Sequence, residues 1–147
     1  MTFGEVIESL GERLGRDIED AGGAAAVDID GIVVVLQDAG ELLLLRAEVG
    51  EVPADGREEI LASAMEANYL YQGTGGSTLA LDPSTGRLVA QKYNWLERLD
   101  PEAAFEMLGR FADTTGAWRR IVADYRSGAG QPETSAPPIG SEPLLQV

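Results

Sequence analysis

Two hydrophobic periods run along this chain, and the switches between them predict its elements. Phe3, Val6, Ile7, Leu10 and Leu14 recur at helical spacing behind Thr2-Phe3-Gly4-Glu5. Thr2 and Glu5 stand three apart, the spacing of a capping box, so a helix is expected from residue 3 to about residue 16. Gly22-Gly23 ends that pattern. Strand-like runs then occupy 24–29, 32–37 and 42–49, parted by Asp30-Gly31, a two-residue hairpin signal, and by Asp38-Ala39-Gly40-Glu41. With Asp30-Gly31 as the first loop, Ile29 faces Ile32 and Val27 faces Val34; with Ala39-Gly40 as the second, Leu36 faces Leu43 and Val34 faces Leu45. One sheet face then holds Val27, Ile29, Ile32, Val34, Leu36, Leu43, Leu45 and Ala47, a core face. The other holds Asp28, Val33, Val35, Leu42, Leu44 and Arg46, too apolar for water, so another element, a second subunit or a ligand chain should cover it.

Past Pro53, Asp55 and Glu58 repeat the capping-box spacing, and a second helix is expected over 56–71 with Leu61, Ala64, Met65 and Asn68 along one stripe. Gly73-Thr74-Gly75-Gly76 ends it. A hairpin follows: strand 77–82, a turn through Pro83 and Gly86, strand 87–94. Asp100-Pro101-Glu102 opens the last helix, 101–126, which carries Phe105, Leu108, Phe111, Ala112, Thr115, Trp118, Ile121, Val122 and Tyr125 on one side. Residues 127–147 hold four of the seven prolines and no basic residue, the composition of a flexible tail. The expected organisation is one α+β domain over 1–126 with an antiparallel twisted sheet and the order α-β-β-β-α-β-β-α.

Composition narrows the chemistry. The 147 residues suit a single domain, and 11 Lys+Arg against 25 Asp+Glu leave a net charge of −14, which repels phosphate backbones and anionic lipid. Neither Cys nor His occurs, so disulfides, thiolate nucleophiles, zinc fingers, Ser-His-Asp triads and imidazole proton shuttles are excluded. Carboxylates, Tyr and Lys remain. The N-terminus lacks the basic-then-apolar layout of a signal peptide and no apolar run reaches the length of a membrane span, which points to a cytoplasmic protein.

The candidate chemical motifs mostly read as architecture. Gly73-Thr74-Gly75-Gly76 has a phosphate loop's composition, but it follows a helix and opens a strand, the reverse of a nucleotide site, and no Lys succeeds it. Asp28 and Asp30 lack the remaining ligands of a calcium loop and suit turn chemistry. Tyr69, Tyr71, Tyr93 and Trp95 fit either core packing or a pocket or dimer seam. The stripe on the first helix fits packing on the sheet or the wall of a groove for an apolar partner segment.

The run from Met65 through Ala67-Asn68 and Gly73-Thr74-Gly75-Gly76 to a strand ending at Asp82 resembles class I type III secretion chaperones, the CesT/Tir-chaperone family. Leu99-Asp100 with Phe105, Leu108, Phe111 and Trp118 looks like that family's last helix, and size, acidity and element order agree along residues 1–126. The resemblance implies a secretion-chaperone-like homodimer in the bacterial cytoplasm. It would act without nucleotide or other cofactor and bind the N-terminal region of a secreted effector in extended, secretion-competent form. It also implies dimerisation through the second helix and fourth strand, here Leu61, Ala64, Met65, Asn68, Ser77, Leu79 and Leu81. Surplus apolarity nominates Val6, Leu10, Leu14, Val33, Val35, Leu42 and Leu44 for client contact. The alternative is a protein-binding or regulatory module of the same fold outside secretion. An enzyme using Asp28, Asp30 or Glu48 is the remote third reading; no catalytic or metal-ligating residue is expected.

Overall fold

The N-terminal spacing folds as a helix in the computed structural model, which describes residues 1–126; the tail expected over 127–147 lies outside the described residues. Helix α1 spans Phe3–Leu14. Its capping box is complete: the Glu5 backbone N–H donates to Thr2 Oγ1 at 3.2 Å and the Thr2 N–H donates to Glu5 Oε2 at 2.7 Å. The helix stops before residue 16 because Gly15 takes a left-handed conformation at φ 66° and the chain folds back, Arg16 N–H donating to the Gly11 carbonyl at 3.1 Å.

Strands β1 (Ala24–Ile29), β2 (Ile32–Ala39) and β3 (Leu42–Glu51) form a meander. Asp30 (φ 52°) and Gly31 (φ 85°) make the tight turn that Asp-Gly predicts, and Val27 pairs with Val34 and Ile29 with Ile32. The second turn is Gly40-Glu41 rather than Ala39-Gly40, so Leu36 pairs with Leu45 and not with Leu43. Gly40, at φ 80°, supplies the left-handed residue the turn needs, and its N–H donates to Asp38 Oδ1 at 3.0 Å. The shift is even, so every side chain keeps its predicted face.

Helix α2 spans Arg57–Asn68, shorter than the expected 56–71, and it begins on Gly56 at φ 86° with no side-chain cap, so the Asp55–Glu58 box does not form. A single 3₁₀ turn, Tyr69–Tyr71, prolongs it. Strands β4 (Thr78–Leu81) and β5 (Arg87–Trp95) form the closing hairpin, and α3 runs over Pro101–Arg126 with Asp100 Oδ1 accepting the Ala103 N–H at 2.8 Å. The sheet is antiparallel throughout in the order β1-β2-β3-β5-β4. Helix α3 lies along β3 and β2, α1 packs on α3, and α2 sits beside β4.

The core lies between α1, α3 and one sheet face. Val6 and Leu10 from α1, Val34, Leu36, Leu43 and Leu45 from the sheet, and Leu108 and Phe111 from α3 are essentially free of solvent. Each such aliphatic or aromatic side chain contributes about 1.5–3 kcal/mol through burial. Phe105, expected on the same side of α3, is instead exposed, with the Arg13 guanidinium 5.5 Å over its ring. On α2 the buried residues are Ile60, Ala64 and Ala67, so the buried stripe is rotated away from the expected one and Met65 points outward.

Candidate protein interaction surfaces

Strict alternation along β2 and β3 sends Val33, Val35, Leu42 and Leu44 to the face opposite the core. β5 adds Tyr93 and Trp95 beside them, in register with Leu44 and Leu42. Among the described residues no helix packs over this outer face. Val33, Tyr93 and Trp95 keep 47%, 56% and 43% of their surface, while Val35, Leu42 and Leu44 are half-buried by their neighbours. A contiguous apolar patch on a soluble domain marks an interaction site.

Arg46 sits within this patch, between Val35 on β2 and Gln91 on β5, exposed and without an acidic partner among the described residues. The nearest acid along its own strand face, Glu48, is held elsewhere: Arg87 donates to it at 2.9 Å and to Glu51 at 3.2 Å. Beside Arg46 the sheet opens. Pairing of β2 with β3 stops at Val35–Arg46, and the Glu48 carbonyl that the register would offer to Val33 accepts instead from Arg119 Nε at 2.9 Å. Arg119 Nη1 also donates to the Gly31 carbonyl at 3.2 Å. The gap leaves a hollow of about 370 Å³ lined by Val33, Val35, Ala47 and Val89, with Arg46 and Arg119 and the acids Glu48 and Asp82 around it.

A second surface lies at the other end of the sheet. Met65, Tyr69, Leu70, Tyr71 and Leu81 are all exposed there, Met65 by 74%. Leu70 (φ 53°) and Tyr71 (φ 57°) are consecutive left-handed residues, a conformation that side chains resist. The turn is anchored on both sides. Asn68 Nδ2 donates to the Leu79 carbonyl at 3.0 Å and its Oδ1 accepts the Leu79 N–H at 2.8 Å, so one amide side chain takes both outward backbone groups of Leu79 on the edge strand. Trp118 Nε1 donates to the Gly73 carbonyl at 3.0 Å. Gly75 and Gly76 turn at positive φ, and a Cβ on Gly76 would stand 3.2 Å from Lys92 Nζ. The glycine run is a helix-to-strand junction, as its position predicts.

The two nominated residue sets divide under this geometry. Val33, Val35, Leu42 and Leu44 share the outer face. Val6 and Leu10 point the other way and are sealed under α3 and the sheet, so a client cannot touch them on the folded subunit; Leu14 is part-buried against the same core. Of the second set, Met65 and Leu81 are exposed and Leu61 half-buried, whereas Ala64, Ser77 and Leu79 are buried within the subunit and Asn68 is spent on β4. Arg46, Leu70, Tyr93 and Trp95 were in neither set. Pairing β3 with β5 would have put Tyr93 and Trp95 beside Leu44 and Leu42, but nothing local in the sequence specifies that pairing.

Several carboxylates serve turns and caps. Asp28 Oδ1 accepts the Gly31 N–H at 2.8 Å in the hairpin turn, and no metal-holding cluster of acids occurs among the described residues. Two acids sit below their ordinary range because hydrogen bonds favour the charged form: Glu5 through the Thr2 backbone N–H, and Asp82 through the Ser84 hydroxyl and backbone. Among the described residues no helix is long and apolar enough to cross a membrane.

The model of the Tir chaperone protein (CesT) family matches residues 5–119. No curated protein sequence matches the chain. Among solved structures, the fold is similar to a chain of the HopA1–SchA chaperone–effector complex, at 20% identity and TM-score 0.62 over 83% of this chain and 93% of that one. It is similar to a chain of the ExsC–ExsE complex, at 22% identity and TM-score 0.65 over 80% and 91%. It is also similar to a chain of the heterodimeric ExoU–SpcU complex from the type III secretion system of Pseudomonas aeruginosa, at 18% identity and TM-score 0.63 over 81% and 95%. At these identities the likeness establishes the fold.

Proposed function

The chain belongs to the Tir chaperone protein (CesT) family, and on that footing we propose that it is a type III secretion chaperone. It binds the N-terminal region of a secreted effector in the bacterial cytoplasm and keeps that region extended, without nucleotide and without turnover. The observation that carries this reading is the uncovered outer face, where Val33, Val35, Leu42, Leu44, Tyr93 and Trp95 form one apolar surface. An extended segment buries alternate side chains on such a surface and gains affinity without folding. A chaperone–effector complex and a heterodimeric complex of a type III secretion system, each with a chain of this fold, support the same assignment.

The subunit works as a homodimer joined through the exposed side of α2, the 3₁₀ turn and the end of β4. Met65 and Leu81 from the expected set, with Tyr69, Leu70 and Tyr71, supply the apolar contact. The test is co-expression with N-terminal segments of candidate secreted proteins, followed by size-exclusion chromatography with light scattering. A dimer of the 15.6 kDa subunit that gains the mass of one segment, and loses that capacity in a Val33→Glu/Leu44→Glu variant of unchanged fold, supports the proposal. A monomer that captures no segment removes it.

A further inference from the structure

The outer face carries an electrostatic signal that its apolar character does not explain. In a chain of net charge −14, Arg46 lies between Val35 and Gln91 and forms no ion pair among the described residues; the two acids that share its hollow are engaged elsewhere, Glu48 by Arg87 and Asp82 by the Ser84 hydroxyl and backbone N–H. Both edges of the sheet are partly occupied by the chain itself. Asn68 takes the outward groups of Leu79 on β4; on β1 the Ala24 carbonyl accepts the Ala21 N–H and the Asp28 carbonyl accepts from the Arg16 guanidinium. A client segment therefore meets the face more readily than an edge.

Resting on the reading of this face as the client surface, we infer that Arg46 is a specificity residue. It selects an extended segment carrying one Asp or Glu in a run of alternating apolar side chains. The carboxylate meets the guanidinium through charge-assisted hydrogen bonds, and an apolar side chain two positions away enters the hollow between Val33, Val35, Ala47 and Val89. Salt screens the chain's distant acids beyond about 8 Å, and of the two near acids Glu48 is paired with Arg87 while Asp82 accepts from Ser84.

The probe is a fluorescein-labelled decapeptide alternating Ser and Leu, with one central Leu replaced by Glu, Gln or Lys, measured by fluorescence anisotropy on the full chain. The Glu peptide is expected to bind about tenfold more tightly than the Gln peptide, with the Lys peptide weakest. Arg46→Glu reverses that order, and Arg46→Lys preserves it at reduced contrast; Arg46 is exposed, so circular dichroism should report an unchanged fold. Equal binding of the three peptides overturns this inference and leaves the client surface standing. Binding of none overturns both. Conversion of a dimer to a monomer by Arg46→Glu, with peptide binding indifferent to charge, overturns it by assigning the face to a second copy of the chain.

Discussion

Asn68 links two elements through one side chain. Its amide stands in for a strand neighbour of β4, and removing it leaves a half-buried N–H and C=O of Leu79 without those partners. Asn68→Ala should therefore lower stability by about 1–3 kcal/mol in urea denaturation. Leu10 and Val33, nominated for the same role from sequence, should separate sharply: Leu10→Ala costs about 2–5 kcal/mol as a fully buried truncation, and Val33→Ala stays within about 0.5 kcal/mol. Glu5 links stability to pH. Its folded pKa lies below the ordinary 4.5, so its contribution is complete above that value and is lost as pH falls through the lowered one. Glu5→Gln should flatten that part of the pH–stability curve in thermal melts below pH 4.5. The Thr2–Glu5 box was legible because both of its hydrogen bonds close within four residues, where Thr2 takes the extended conformation of an N-cap. The Asp55–Glu58 pair has the same spacing and makes no box, since Gly56 at positive φ begins the helix one residue later.

At the scale of elements, alternation carried most of the information. It placed both faces of the meander correctly even though the second turn lies one residue later than expected, because a register change of two residues preserves facing. Periodicity served α2 poorly. Its short side chains, three alanines among them, leave no strong apolar stripe, and which side it buries is set by β4 rather than by its own pattern. The turn that follows holds exposed Leu70 and Tyr71 in left-handed backbone at a cost of about 1–3 kcal/mol each. Glycine adopts that conformation freely, so Leu70→Gly should leave the unfolding midpoint of the subunit unchanged or raised. The same substitution should weaken self-association in light scattering, which separates the backbone role of this turn from its proposed contact role.

For the molecule as a whole, the sheet order was the least legible feature. The pairing of β3 with β5 joins Leu42 to Trp95 and Ala47 to Ala90 across the whole of α2 and β4, and no turn chemistry specifies it. That pairing turns the four surplus apolar residues of the meander into a broad surface by adding two aromatic rings. The outer face was thus foreseen as sticky but not as aromatic. The opening beside Arg119 has a mechanical consequence. Toward its tip the β1–β2 hairpin is joined to the rest of the sheet by a guanidinium instead of a ladder, while Ile32 and Val34 stay packed in the core, so the outer side of the tip at Val33 can yield without breaking β2–β3 strand pairs. Hydrogen–deuterium exchange should find the Val33 amide faster than that of Val35, and Arg119→Ala should quicken the tip further while the paired stretch from Val35 to Ala39 keeps its protection. A surface with a stiff half and a yielding half can admit segments of different bulk at one end while holding a fixed register at the other.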